Sequence, residues 1–461
     1  MKYSIVGLGK LGASMVAGIA SRGLPVIGLD IDPAAVAAVG AGRAPVQETD
    51  LDATLAEYRA HISTTHDYCE LVDASDLTFV IVPTPSDDSG RFSLDYLREA
   101  LTRLGQALAH KQQYHSVVIT STVLPGSTRY GLLPVLEASS GKTCGRDFGL
   151  CYSPEFIALG SVIRDFLHPD FTLIGEFDTR SGDHLVAAYD EILVKRSEVQ
   201  RMSFENAELT KVAVNAFITT KISFANTLSQ ICERIPGGNV DVVTTALGKD
   251  SRIGARYLKG ALGYGGPCFP RDNQALSSFA EAVGVSAPIP RATDLTNRAV
   301  ARQIAHLVRE RAGDGATVAV LGLAYKPDSH VVEESQALQI IRSLSESGMS
   351  VVAYDPLAGE TARAELGEAA SVLPSIGACL RRADVVIITT PDRAFARLTP
   401  EDFRREDGER VVVMDLWRIL APTLSAEPNI AYYPYGCDTQ RDDVGARVAG
   451  LWWSDRADPA A

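Results

Sequence analysis

Short apolar runs that end in small or polar residues recur toward both ends of the chain. In the N-terminal part they cover residues 3–6, 24–30, 77–82, 117–120, 148–152 and 171–174. Their length and β-branched content predict buried strands, and the stretches between them carry helical spacing, as in the crossovers of a parallel sheet. The third and fourth runs are closed by Pro83-Thr84-Pro85 and Ser121-Thr122-Val123. Polar groups therefore stand at strand C-termini, where open parallel sheets bind ligands. A second series occupies residues 317–321, 351–354, 384–388 and 411–414, closed by polar turns such as Asp355-Pro356, Thr389-Thr390 and Asp415-Leu416-Trp417-Arg418.

Between the two series the period changes. Leu209, Val212, Ala213, Ala216 and Phe217 repeat at helical spacing, which predicts one long helix from about residue 205 to 234, ended by Pro236-Gly237-Gly238. Helical character continues to about residue 311. The pattern predicts an α/β protein: two Rossmann-like doubly wound domains joined by a long central helix and a helical region. The expected domains are residues 1–204, 205–311 and 312–453, with 454–461 as a flexible tail.

A length of 461 residues leaves room for such a plan, and the balance of apolar and charged residues is that of a globular protein. The net charge of -13 argues against nucleic acid or an anionic membrane as partner. The N-terminus runs directly into a strand without the apolar stretch of a signal peptide, and no apolar run is long enough to span a bilayer. The seven cysteines are scattered, with no Cys-x-x-Cys pair, so neither a metal site nor a disulfide framework is expected, and a reducing cytoplasm fits.

The first strand is followed by Gly7-Leu8-Gly9-Lys10-Leu11-Gly12 and then an Ala-rich helical pattern. This is the dinucleotide turn in its strand–turn–helix setting, with backbone N–H groups presented to a pyrophosphate. Asp30 closes the second strand about 20 residues on, where a carboxylate accepts from ribose hydroxyls and repels a 2′-phosphate. The expected cofactor is NAD. The second series lacks this turn, so a second dinucleotide is not expected. Ser153-Pro154-Glu155-Phe156 places an acid just past a strand end; by itself it reads as a solvated helix-start residue. Lys211 and Asn215 are four apart and share a helix face with Glu208, for which a solvated polar stripe is the default. Gly263-Tyr264-Gly265-Gly266-Pro267-Cys268-Phe269-Pro270-Arg271-Asp272 sets one thiol in a glycine-rich turn beside a cation and an acid, the setting of a nucleophile.

Taken together, these stretches and Gly322-Leu323-Ala324-Tyr325-Lys326-Pro327 resemble the UDP-glucose/GDP-mannose 6-dehydrogenase family over nearly the whole chain, with the Cys268 turn most similar to the UDP-glucose branch. The resemblance implies four-electron oxidation of a sugar C6 alcohol by NAD through a Cys268 thiohemiacetal and thioester. It implies that Lys211 and Asn215 hold the alkoxide and oxyanion, that Asp272 and Thr122 assist water and proton transfer, and that Glu155 serves hydrolysis. For the cofactor it implies Gly7, Gly9, Lys10, Leu11, Gly12, Asp30, Pro83, Thr84, Ser121, Thr122, Glu155 and Arg271. For a UDP-sugar it implies Glu155, Phe156, Ile157, Lys211, Asn215, Arg252, Tyr257, Lys259, Gly263, Tyr264, Gly265, Lys326 and Arg418. A homodimer or higher homo-oligomer, through the apolar face of the long helix, is expected. The chain departs from the family pattern at Leu159, where an acid is usual, and at Phe171 and Glu333, where arginine is usual. The first departure bears on contacts near the substrate phosphates and the last on inter-domain or oligomer contacts. GDP-mannose and UDP-N-acetylhexosamines are thus the alternative substrates, and a non-catalytic NAD-binding protein is the alternative of another class.

Overall fold

The computed structural model describes residues 1–313, 315–405, 408–438 and 442–453; the expected tail at 454–461 lies outside them. The chain forms two compact units, one of Met1–Val214 with Ser278–Val285, the other of Asn215–Ser277 with the chain from Ser286 onward.

The first unit is built on eight strands: β1 (Tyr3–Val6), β2 (Val26–Leu29), β3 (Ile62–Thr65), β4 (Leu77–Val80), β5 (Ser116–Ile119), β6 (Gly149–Tyr152), β7 (Phe171–Glu176) and β8 (Glu198–Met202), in the order β3-β2-β1-β4-β5-β6-β7-β8. β1 lies between β2 and β4, so the strand order reverses there and opens a crevice at the C-terminal ends of β1 and β4. β1, β2, β4, β5 and β6 are buried along their whole length, which explains their unbroken apolar runs. β3 and β8 have no such run. β3 reads Ile-Ser-Thr-Thr, and β8 is an exposed edge reading Glu-Val-Gln-Arg-Met, so periodicity does not reveal them.

One difference from the expected series lies at β7, which pairs antiparallel with β6, while β8 runs parallel to β7. Between β6 and β7 the helix Val162–Leu167 has six residues and rises only about 9 Å. The parallel pair β7 and β8, by contrast, is joined through the 14-residue helix Thr179–Ile192.

The second unit carries six parallel strands: β9 (Thr317–Leu321), β10 (Ser350–Tyr354), β11 (Ser371–Val372), β12 (Val385–Ile388), β13 (Val411–Asp415) and β14 (Ile430–Pro434), in the order β11-β10-β9-β12-β13-β14. That is the same winding as the first six strands of the first sheet. Helix Pro288–Ala312 lays Val300, Ile304 and Val308 into a core with Val318, Val320, Ile341 and Leu344. The long central helix spans Phe204–Cys232, within two residues of its expected ends.

The two sheets repeat one local device. Gly7 has φ +99° and Gly322 φ +106°. After them, Leu8 N–H donates to Asp30 Oδ2 at 2.5 Å and Leu323 N–H to Asp355 Oδ2 at 2.7 Å. Asp355, however, also accepts from the N–H groups of Ala324, Leu357 and Ala358. Four backbone donors fill the roughly four acceptor sites of a carboxylate. Its capacity is used within the fold, whereas Asp30 accepts one further backbone bond, from Asp32 at 2.8 Å.

Candidate active site

The cofactor turn is shaped by contact. A Cβ at Gly7 would lie 1.9 Å from the oxygen of Ile81, and one at Gly12 would lie 1.8 Å from the oxygen of Gly7. At Gly9 nothing lies within 4 Å, so the middle glycine leaves open space above the turn. Helix Lys10–Ser21 starts there with no side-chain cap and no acid in its first turn, so its first N–H groups are presented to an anion. A cleft of ≈ 790 Å³ opens over them, lined by Gly7, Gly9, Lys10, Leu11, Gly12, Asp30 and Pro83, and also by Tyr68, Tyr96 and Arg103. The open face at Gly9, the uncapped helix and the fixed Asp30 carboxylate fit a dinucleotide with free ribose hydroxyls. Tyr68, Tyr96 and Arg103 escape a sequence reading because they come from later helices that only the winding of the sheet brings to this crevice.

The loops after β4 and β5 are tied together. Ser121 Oγ accepts from Val82 N–H at 2.9 Å and donates to Val82 O at 2.7 Å, and Thr84 Oγ1 donates to Thr122 O at 2.8 Å. The hydroxyls of Ser121 and Thr84, expected at the cofactor, thus also lock the two loops to each other.

Glu155 follows β6 in an irregular segment, not at a helix start as the local reading suggested. The residue is partly buried, and desolvation of its carboxyl pushes its pKa up to about 7, against the opposing pull of the Lys211 charge and a hydrogen bond from Tyr189. Tyr189 OH lies 3.5 Å from Glu155 Oε1 and 2.8 Å from Ser153 Oγ. Lys211 Nζ donates to the main-chain oxygen of Glu155 and stands 4.6 Å from the centre of the Phe156 ring. Phe156 in turn packs on Phe171 at 4.9 Å. The residue at the Phe171 departure is therefore part of an aromatic pair under the Lys211 ammonium.

The solvated stripe that is the default for Glu208 and Lys211 is not what the structure holds. Glu208 is fully buried and Lys211 is 9% exposed. Glu208 Oε2 accepts from Gly126 N–H at 2.6 Å and Oε1 from Thr128 N–H at 2.7 Å. Burial raises its pKa to about 7 despite these bonds.

In the second unit Cys268 is exposed, and its carbonyl accepts from Asp272 N–H at 2.8 Å at the start of helix Phe269–Ala282. The thiol thus stands at a helix N-terminus, where the aligned peptide dipoles favour thiolate; the sequence shows the turn but not this helix start. Asp272 is 1% exposed, and Asn215 Nδ2 donates to its Oδ2 at 2.7 Å, while Arg271 Nε lies 3.5 Å from Oδ1.

The loop before Cys268 is bolted by two asparagines. Asn226 donates to Leu262 O and accepts from Ala261 N–H, and Asn297 donates to Tyr264 O and accepts from Tyr264 N–H. Asn273 joins Tyr264 OH to Thr219. The signal was present in part: Asn215, Thr219 and Asn226 fall on one helix face by spacing. Gly266, at φ +81°, donates to Glu333 O at 2.9 Å, and a Cβ on it would lie 2.7 Å from the Tyr325 ring. The Gly322-to-Pro327 motif and the segment of the Glu333 departure therefore both pack on the cysteine loop.

The remaining expected substrate residues are less gathered. Arg252 is exposed and paired with Asp250 at 2.6 Å. Tyr257 is half exposed at φ +63°, and Lys326 Nζ lies 5.7 Å from the Tyr325 ring. Lys259 Nζ lies 3.6 Å from Asp241. Arg418 is buried, and all five of its N–H groups find protein acceptors: Asp241 Oδ1 and Oδ2, Gly260 O, Leu416 O and Tyr435 O. In this arrangement Arg418 clamps the fold and has no donor left for a ligand, unlike the substrate contact expected of it.

The chain matches the UDP-glucose/GDP-mannose dehydrogenase family in its NAD binding domain over residues 1–193, its central domain over 205–299 and its UDP binding domain over 319–422. The UDP-glucose 6-dehydrogenase AglM of Haloferax volcanii is 36% identical over 421 residues, covering 89% of this chain and 97% of its own. The GDP-mannose 6-dehydrogenase of Pseudomonas putida is 32% identical over 77% of this chain and 81% of its own. The solved UDP-glucose dehydrogenase of Pyrobaculum islandicum superposes with a TM-score of 0.84 at 32% identity, over 95% of this chain and 98% of that one. With the open glycine turn, the doubled winding and these matches along its length, the chain belongs to the UDP-glucose/GDP-mannose dehydrogenase family.

Proposed function

We propose that this protein oxidises the C6 alcohol of UDP-glucose to the carboxylate of UDP-glucuronate through a covalent intermediate on Cys268. The observation that carries the proposal is an exposed thiol at the N-terminus of helix Phe269–Ala282, one turn before a buried aspartate that Asn215 holds in place. Oxidation of an alcohol to an aldehyde needs no nucleophile. Oxidation onward to an acid does, because the aldehyde carbon must become tetrahedral before it can release a second hydride.

Bound NAD supplies the hydride acceptor, two molecules being reduced per sugar. Lys211 and Asn215, one turn apart on one helix, are assigned to the alkoxide and then to the oxyanion. The sulfur of Cys268 adds to C6 of the aldehyde, forming a C–S bond and a thiohemiacetal. After the second hydride has left, C6 is a thioester. Water placed by Asp272 and Thr122 adds to it, the C–S bond breaks, and the thiolate is restored. Glu155, with its pKa raised to about 7, is suited to take a proton from that water near neutrality. The balance is one alcohol, one water and two NAD⁺ to one carboxylate, two NADH and three protons.

The UDP-glucose 6-dehydrogenases among the relatives, at 36% and 34% identity, support UDP-glucose, and the GDP-mannose enzymes among them, such as that of Pseudomonas putida at 32%, make GDP-mannose the rival. A panel of purified nucleotide sugars tests both. The expected result is fastest turnover of UDP-glucose with two NADH per sugar. Faster turnover of GDP-mannose or a UDP-N-acetylhexosamine gives the rival the better claim, and no turnover with intact NAD binding favours a non-catalytic protein.

The expected division of labour goes with this reading: residues 1–204 bind NAD, 205–311 carry the cysteine loop, and 312–453 bind the nucleotide. A homodimer is proposed through the central helix, where Phe217, Phe224 and Ile231 are exposed by 67%, 52% and 49% at intervals of two turns. The cytoplasm is the proposed compartment, since no disulfide forms among the described cysteines. Among the described residues no helix is long and apolar enough to cross a membrane.

A further inference from the structure

We propose that Glu208 is a positioning residue for the reaction: its carboxylate clamps the loop after β5 to the helix that carries Lys211. The inference rests on the dehydrogenase reading above and goes beyond it, since Glu208 has no part in the chemistry assigned there.

The helical segment Ser127–Leu132 begins after Gly126, which has φ +89° and no side chain to cap it. Its exposed N–H groups are instead satisfied from a residue some 80 positions away, with Oε2 of Glu208 on Gly126 and Oε1 on Thr128. A local serine or aspartate would suffice to cap a turn. A fully buried carboxylate from a distant helix does more, because it fixes two chain segments relative to each other. On one side it holds the loop whose Thr122 carbonyl receives the Thr84 hydroxyl. On the other, one turn along the helix, Lys211 reaches the Glu155 carbonyl. The ends of β4 and β5, the segment after β6 and the long helix thus share one set of bonds.

The cation of the clamped loop, Arg129, engages Glu205 at 2.5 Å, and Glu205 lies one turn earlier on the same helix. The clamp therefore depends on the two N–H bonds. Glutamine at this position keeps the volume but turns an amide N–H₂ toward one of those donors, breaking one bond and opposing like dipoles.

The test is Glu208→Gln in the full-length enzyme, read in two ways. Amide hydrogen exchange of the segment containing Gly126 and Thr128 should rise in the variant while strands β1 and β4 stay protected. With whichever nucleotide sugar the wild type turns over fastest, kcat should fall by about tenfold to a hundredfold, the scale of a misplaced reacting group, while KM for NAD stays within about twofold. Unchanged exchange would overturn the clamp. Raised exchange with kcat within about twofold of wild type would leave Glu208 a purely structural cap and overturn the positioning role. If Glu208→Gln does not fold, Thr128→Pro removes one donor with the acid intact and should move both readouts the same way. If the wild type turns over none of the sugars, the dehydrogenase reading fails on its own and the positioning role falls with it, while the exchange measurement still decides whether the clamp exists.

Discussion

Lys211 donates to the main-chain oxygen of Glu155, while the carboxyl of that residue turns toward Tyr189. The lysine is thereby aimed by backbone, and the acid keeps its own proton equilibrium. Had the two side chains formed an ion pair, Glu155 would be held ionised far below neutrality. Burial dominates instead, and the acid titrates near pH 7.

This arrangement gives a signed pH dependence. The folded-state pKa of Glu155 is raised above its usual 4.5 to about 7. Its contribution to stability is therefore full below about pH 4.5 and is lost as pH rises through about 7. Glu155→Gln should flatten that part of the plot of Tm against pH. The same substitution should slow product formation most at the thioester hydrolysis step, seen as acyl-enzyme accumulating by mass spectrometry. A Tm profile and acylation level identical to wild type would remove both assignments.

Cys268→Ser should retain NAD and nucleotide-sugar binding and lose steady production of the sugar acid. A protonated serine hydroxyl is a poorer nucleophile than a thiolate at neutral pH, and an ester is a poorer acyl donor than a thioester. Intact-mass analysis with NADH and product quantified is the measurement. Free acid formed at near wild-type rate would return Cys268 to a structural role.

Asp30 is held by Leu8 and Asp32 N–H groups with its carboxylate at the rim of the cofactor cleft. A 2′-phosphate would meet this charge directly. NAD should therefore be preferred over NADP by about a hundredfold or more in kcat/KM, and Asp30→Ala should narrow the gap. Equal use of both cofactors by the wild type would exclude this role.

Gly266→Ala should destabilise the protein by about 1–3 kcal/mol, since φ +81° strains any L side chain and the new methyl meets the Tyr325 ring. Denaturant unfolding of the two proteins reads this directly. Tyr325→Ala in the same background should recover only the steric part.

Phe224→Glu places a charge on the exposed apolar stripe of the central helix. Light scattering should show the proposed dimer shifting toward monomer. An unchanged mass would mean that this stripe is not the subunit contact.

Much of this protein is local enough to be written in its sequence. The buried strands are unbroken apolar runs, and the turn from Gly7 to Gly12 and the acid at Asp30 follow from backbone sterics and strand length. The long helix follows from its period. What pattern cannot carry is direction and distance. The antiparallel β7 depends on where the connection after β6 delivers the chain, and the edge strands β3 and β8 form only because a neighbour offers its ladder. Glu208 and Arg418 look like solvated or ligand-facing charges in sequence, because charge alone implies water or a ligand. Tertiary structure buried one against two backbone N–H groups and surrounded the other with Asp241 and three carbonyls. Apart from the Leu416 carbonyl, their partners lie 17 to 177 residues away, and only the folded chain brings such acceptors and donors within hydrogen-bond reach.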